Sequence, residues 1–122
     1  MQTEKFSVRR RAKSVHFAVD GLRQFFATQH NALIHAAATA AVIILALIVP
    51  LPVSQLLFII FSIGLVWMAE LFNTAIEKLC DIVNPQQHPS IKFIKDVAAA
   101  AVLVTAMVAL ITACIIFIPA FI

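Results

Sequence analysis

The residues best suited to chemistry lie together in residues 70–77, which read ELFNTAIE. If this segment is helical, spacings of three and seven residues place Glu70, Asn73 and Glu77 on one face. Two carboxylates and an amide on one face are able to accept a proton or to coordinate a hard cation. The alternative for Glu77 is an ordinary solvated acid at a helix end, and Asp81 on the same helix is better explained in that way.

These acids follow a long apolar stretch in a chain that is far too apolar for a soluble domain. Of its 122 residues, 62% are hydrophobic and 12% are charged, whereas soluble domains are about half apolar and a quarter charged. Lipid must therefore cover part of the surface. Because a helix needs about 20 residues to cross the hydrocarbon core, we predict transmembrane helices at residues 32–49, 53–69 and 97–118, the second continuing to residue 80.

This arrangement puts Glu70 just inside a membrane interface and Glu77 just outside it. An acid at the depth of Glu70 is costly to desolvate, and such acids usually mark a function or a specific partner. The third helix brings Lys95 and Asp96 into the same interfacial layer, where alanines at residues 98–101 permit close packing. These charges form either a network among themselves or a site for a phosphate and its metal.

The distribution of basic residues predicts the orientation in the membrane. All nine Lys and Arg lie in the N-terminal segment or near the link between the second and third predicted helices, which places both regions in the cytoplasm. Apolar residues at helical spacing within residues 1–29 predict an amphipathic helix on the inner membrane surface. That helix is either an anchor or a part of the catalytic apparatus. We therefore expect an all-α membrane protein, with residues 1–122 as one domain.

Several other kinds of site are excluded by composition. With only Gly21 and Gly64 in the chain, there is no phosphate-binding loop of the G-x-x-x-x-G-K-[ST] type, so a nucleotide must be held by side chains and metal. The four histidines lack the tight spacing of a zinc site, and we interpret each as interfacial or structural. Cys80 and Cys114 are interpreted as packing residues.

The pattern around residues 70–96 resembles the small bacterial diacylglycerol kinase and undecaprenol kinase family. The resemblance is carried by E-x-x-N-[ST]-A-I-E at residues 70–77 and by K-D about 18 residues later. It extends over nearly the whole chain, and the other matching residues are Gly21-Leu22-Arg23, His30-Asn31, His35, Asp81, His88-Pro89 and Ile94.

The resemblance implies a homotrimer with composite active sites at the cytoplasmic face of the bacterial inner membrane, using ATP and Mg²⁺. Glu70 would be the general base for the lipid hydroxyl, and Asn73 would position the reacting groups. Glu77 would be a magnesium ligand, and Lys95 and Asp96 would lie at the nucleotide phosphates. The positions that match ATP contacts are Arg10, Gln86, Gln87 and His88, with Arg10 also near the lipid.

The chain departs from this family at several positions. Gln29 stands where the family commonly has a glutamate that is a second metal ligand, and Phe17 stands where it has a tyrosine, so a hydroxyl contact is missing. The family also often has Glu near residues 86–87 and Gly where Ala100 stands. We therefore expect either that Gln29 weakens magnesium binding relative to the family pattern or that the missing charge is supplied from elsewhere.

The function that the resemblance implies is transfer of the γ-phosphate of ATP to the hydroxyl of diacylglycerol, giving phosphatidic acid. Undecaprenol is the close alternative substrate, and the sequence does not separate the two lipids. A more distant alternative is a non-enzymatic ion-translocating or scaffolding subunit with Glu70 as a proton site. The clustering of acids with Lys95 at one membrane edge favours the kinase.

Overall fold

The structure is a computed structural model that describes residues 5–122, and over this range the chain is helical with short connections. The described residues form four α-helices, which are α1 Val8–Thr28, α2 His30–Ile48, α3 Val53–Val83 and α4 Pro89–Phe121. By length and composition, α2, α3 and α4 are each long and apolar enough to cross a membrane. The expected all-α fold with three apolar spans is confirmed for the described residues.

The ends of the helices follow from local sequence. The hydroxyl of Ser7 accepts a hydrogen bond from the backbone N–H of Arg10 at the start of α1 (3.4 Å). Nδ1 of His88 accepts one from the backbone N–H of Ser90 at the start of α4 (3.1 Å), and Pro89 occupies the first turn, where no N–H is needed. Helix α4 therefore begins before the predicted apolar span, because a good cap starts it in the polar linker.

The chain forms two compact units, residues 1–33 and residues 34–122. In the described part of the first unit, Phe25 is buried, whereas Val15, Phe17 and Val19 on α1 are exposed. The membrane-surface role of α1 stays a prediction, and residues 1–4 of the predicted surface segment lie outside the described residues.

In the second unit, α3 and α4 pack against each other as an antiparallel pair joined by residues 84–88. At the end far from this turn, a buried cluster joins the three apolar helices through Val49, Ile59, Ile116 and Phe117. Cys80 is buried near the turn, and Cys114 is exposed.

One face of α3 is buried along most of its length. Its buried residues recur every three, four or seven positions, which keeps them on one side of the helix; they are Ile59, Ser62, Val66, Glu70, Asn73 and Cys80. The opposite faces of these helices expose large apolar side chains such as Phe61, Leu103 and Ile111. Such surface is suited to lipid or to neighbouring helices.

Candidate active site

Glu70 lies on the buried face of α3, and its side chain is only 4% exposed. Its Oε1 is 2.5 Å from Nε2 of His35 on α2, so the two side chains are in direct polar contact. The interpretation of His35 as merely interfacial or structural is therefore incomplete, because this histidine is the direct partner of the predicted base. A desolvated acid demands such a partner, but the sequence alone does not reveal which of four histidines faces it.

A second polar contact joins the same two helices next to this pair. Nε1 of Trp67 donates a hydrogen bond to Oγ1 of Thr39 (3.0 Å). The Trp67 ring also meets the ring of His35 edge to face, with 6.2 Å between centroids. Trp67 precedes Glu70 by three residues and Thr39 follows His35 by four, so both contacts link the same faces of α2 and α3.

Asn73 and Glu77 continue the buried face toward the turn. Nδ2 of Asn73 donates to Oε1 of Glu77 (3.4 Å), and Asn73 is buried together with Glu70. Oδ1 of Asn73 is buried and has no hydrogen-bond partner among the described residues. A buried acceptor of this kind is costly unless it meets a donor or a cation, so this oxygen is available to a ligand.

Four of the charged residues beyond Glu77 form two exposed ion pairs. Nζ of Lys95 lies 2.6 Å from Oδ1 of Asp81, which links α4 to α3. Nζ of Lys92 lies 2.5 Å from Oδ2 of Asp96, one turn away on α4. Asp81 is therefore more than a solvated acid, since it pairs across the two helices. Lys95 and Asp96 lie in separate pairs, and exposed pairs of this type are weak enough to exchange for phosphate oxygens.

A cavity of about 610 Å³ lies at the turn between α3 and α4. Cavities of this size commonly hold small-molecule ligands. Its lining contains Lys92 and five of the residues predicted to contact the nucleotide, which are Gln86, Gln87, His88, Lys95 and Asp96.

Arg10, Phe17 and Gln29 belong to the first unit, so their predicted roles are not addressed by the cavity or by the Glu70 face. Arg10 and Phe17 are exposed on α1. Gln29 is half-buried between α1 and α2, and its Nε2 donates to Oγ1 of Thr28 (3.3 Å).

The residues present fit a magnesium ion that arrives with its nucleotide. Among residues 5–122, no group of three or more His, Cys, Asp and Glu side chains is arranged to hold a metal ion. Mg²⁺ does not need such a cage, because it keeps several waters and takes oxygens from substrate phosphates and from one or two carboxylates. Glu77 and the unpartnered Oδ1 of Asn73 offer hard oxygen donors of this type.

Comparison with known proteins identifies the family. Residues 16–117 match a family model described as prokaryotic diacylglycerol kinase. The chain is 38% identical over 107 residues to the undecaprenol kinase of Bacillus subtilis (strain 168), an alignment that covers 88% of this chain and 87% of that protein. It is 36% identical over 107 residues to the diacylglycerol kinase of Synechocystis sp. (strain ATCC 27184 / PCC 6803 / Kazusa), covering 87% of this chain and 61% of that protein. The chain thus spans about three fifths of the length of this second relative.

The family match covers every predicted site residue except Arg10, which precedes it. The two relatives are both named as lipid kinases, and three helices of the described chain are suited to cross a membrane. The chain therefore belongs to the prokaryotic diacylglycerol kinase family, and it is a multi-pass membrane lipid kinase that uses ATP.

Proposed function

We propose that this kinase transfers the γ-phosphate of ATP to the hydroxyl of diacylglycerol, giving phosphatidic acid. The observation that carries the proposal is the position of Glu70, a buried carboxylate on the same helix as the polar end of the site. Seven residues separate Glu70 from Glu77, a rise of about 10 Å along a helix. A lipid whose tail stays in the membrane can therefore present its hydroxyl to Glu70 while ATP arrives from water.

In this proposal Glu70 is the general base and Asn73 positions the reacting groups. Phosphoryl transfer needs little covalent help from the protein and depends mainly on positioning and charge neutralisation. A buried, oriented carboxylate contributes to positioning, because it can take the hydroxyl proton at a fixed point.

The nucleotide would occupy the cavity at the α3–α4 turn. Lys95 and Asp96 would lie at the phosphates, with Gln86, Gln87 and His88 as further contacts. Lys95 would exchange Asp81 for phosphate oxygens, an exchange supported by the exposure of that ion pair. Arg10 would add a contact to ATP or to the lipid.

Magnesium would be held by Glu77 together with the phosphates, with Gln29 at the position of the second protein ligand. When bound, the ion would neutralise charge on the transferred phosphoryl group. Glu77 retains a carboxylate for this purpose, although one of its oxygens accepts a hydrogen bond from Asn73.

We further propose a homotrimer in the bacterial inner membrane, with the N-terminus and the site on the cytoplasmic side. The apolar side chains exposed on α2, α3 and α4 support burial in lipid or against other subunits. The concentration of Lys and Arg in the N-terminal segment and near the turn supports the orientation.

Undecaprenol is a second candidate substrate, and one observation favours it specifically. The Bacillus subtilis relative named undecaprenol kinase aligns over 87% of its own length. Both lipids present a hydroxyl at the membrane interface, so the proposed chemistry is the same. The family membership gives no support to the distant alternative of an ion-translocating or scaffolding subunit.

The test is a transfer assay with purified protein, Mg²⁺ and γ-labelled ATP, run in parallel on diacylglycerol and undecaprenol. We expect label in diacylglycerol, at a rate that Glu70→Gln abolishes. Label in undecaprenol alone would show that undecaprenol, and not diacylglycerol, is the substrate. Label in neither lipid would contradict the proposed function.

A further inference from the structure

The contact between His35 and Glu70 indicates a role for His35, which is not one of the predicted site residues. We propose that His35 is a positioning residue that fixes the Glu70 carboxylate through Oε1 and leaves Oε2 for the lipid hydroxyl. This inference rests on the proposed function of Glu70 as the base. In the transfer, the lipid oxygen bonds to the γ-phosphorus, the bond from that phosphorus to ADP breaks, and the hydroxyl proton passes to Oε2.

The geometry of the pair supports a donor role for His35. Nε2 lies 2.5 Å from Oε1, in contact with one carboxylate oxygen, and in this proposal the ring N–H donates to that oxygen. The side chains are 21% and 4% exposed, so water contributes little to holding the carboxylate. A buried carboxylate that lost this donor would be left unpaired and free to rotate.

Orientation of the carboxylate matters because a misplaced base loses much of its effect. A displacement of about 1 Å in a reacting group can cost about 100-fold in rate. With Oε1 occupied by His35, the position of Oε2 is fixed relative to α3. The histidine thus sets which oxygen receives the proton.

The neighbouring contact between Trp67 and Thr39 provides a control that distinguishes catalytic positioning from helix packing. It joins the same faces of α2 and α3, at a hydrogen-bond length of 3.0 Å, but does not involve Glu70. If His35 served only to hold the two helices together, loss of either contact should have similar consequences. If His35 positions the base, only its loss should affect turnover strongly.

The experiment measures kcat, and KM for ATP and lipid, in four variants alongside the wild type. His35→Leu removes the donor, and Thr39→Val is the matched control for helix packing. His35→Gln retains an N–H at nearly the distance of the ring nitrogen, whereas His35→Asn carries the same amide on a shorter side chain. Thermal unfolding of each variant in detergent is followed in parallel.

We expect His35→Leu to lower kcat about 100-fold and to leave KM for ATP within about twofold. Thr39→Val should keep kcat close to that of the wild type. His35→Gln should exceed His35→Asn in kcat by about tenfold, because only the longer amide reaches Oε1. This last comparison remains decisive even if His35→Leu fails to fold.

Equal kcat in His35→Gln and His35→Asn, or equal losses in His35→Leu and Thr39→Val, would overturn the positioning role. Those results would leave the proposed function intact, since the wild type would still transfer phosphate. A wild type that phosphorylates neither lipid would instead overturn the proposed function, and with it the catalytic role of the pair of His35 and Glu70.

Discussion

The buried pair of His35 with Glu70 and the exposed pair of Lys95 with Asp81 each join a side-chain nitrogen to a carboxylate but differ in their surroundings. His35 and Glu70 meet at 2.5 Å with side chains 21% and 4% exposed, whereas the Lys95 and Asp81 side chains are 36% and 58% exposed. Water can replace a partner in the second pair but not in the first. The buried pair is therefore suited to fixing a group permanently, and the exposed pair to releasing one when a ligand arrives.

The largest expected effect comes from the buried acid itself. Glu70→Gln keeps the shape of the side chain but removes its ability to accept the hydroxyl proton, so we expect transfer to fall by at least about 1000-fold with ATP binding retained. Turnover and nucleotide binding are measured separately. Ser62→Ala, which removes another buried polar group from the same face of α3, is the control and should remain active. Wild-type turnover in Glu70→Gln would show that Glu70 is not the base.

On the exposed side, the largest effect should come from Lys95. Lys95→Ala removes a cation from the proposed phosphate site, and we expect KM for ATP to rise about tenfold while lipid binding changes little. The matched control is Lys92→Ala, which removes a second ion-paired lysine from the same cavity and should have the smaller effect. Unchanged kinetics for ATP in Lys95→Ala would mean that Lys95 belongs only to a structural charge network.

A smaller effect should follow from adding an acid where the family commonly has one. Gln29→Glu restores a charged oxygen ligand, so we expect the variant to need a few-fold less Mg²⁺ for half-maximal activity than the wild type. Both proteins are titrated with magnesium at saturating ATP and lipid. Gln24→Glu adds the same charge on α1 and should not reproduce the shift. Overlapping curves for Gln29→Glu and wild type would show that residue 29 does not contribute to the metal site.

The smallest effect should come from breaking an exposed pair without removing the cation. Asp81→Asn leaves Lys95 in place, and because such pairs contribute little, we expect KM for ATP to stay within about twofold. Comparing the kinetic effect of Asp81→Asn with that of His35→Leu then shows how much more a buried pair contributes to activity than an exposed pair. A loss as large as that in Lys95→Ala would indicate that Asp81 orients the lysine and is not merely displaced from it.

The helices and one face of the site could be predicted because both depend on local spacing. The length of the apolar stretches identified α2, α3 and α4, and the three- and seven-residue spacings placed Glu70 and Asn73 on what is a buried face of α3. Helix α4 begins at Pro89, ahead of the predicted span at residues 97–118, because the cap at His88 starts the helix in the linker.

The partners across helices could not be predicted from local spacing. The pairing of His35 with Glu70 depends on the rotation and register of α2 against α3, which no local pattern specifies. The pairing of Asp81 with Lys95 had a usable signal. Asp81 and Lys95 each lie seven positions from His88. Ile59 and Phe117, which belong to one buried cluster, each lie 29 positions from His88. An antiparallel helical hairpin centred on His88 would therefore have predicted that the members of each pair lie close together.

The position of Trp67 allows the interior of the site to be monitored by tryptophan fluorescence. It is the single tryptophan of a chain that has no tyrosine, and its ring lies against His35, the partner of Glu70. Indole emission responds to a nearby imidazole and to the polarity around the ring. The intrinsic fluorescence of the unlabelled kinase therefore arises from one known residue beside the proposed base, and a lipid hydroxyl that binds there should change the emission intensity without any introduced probe.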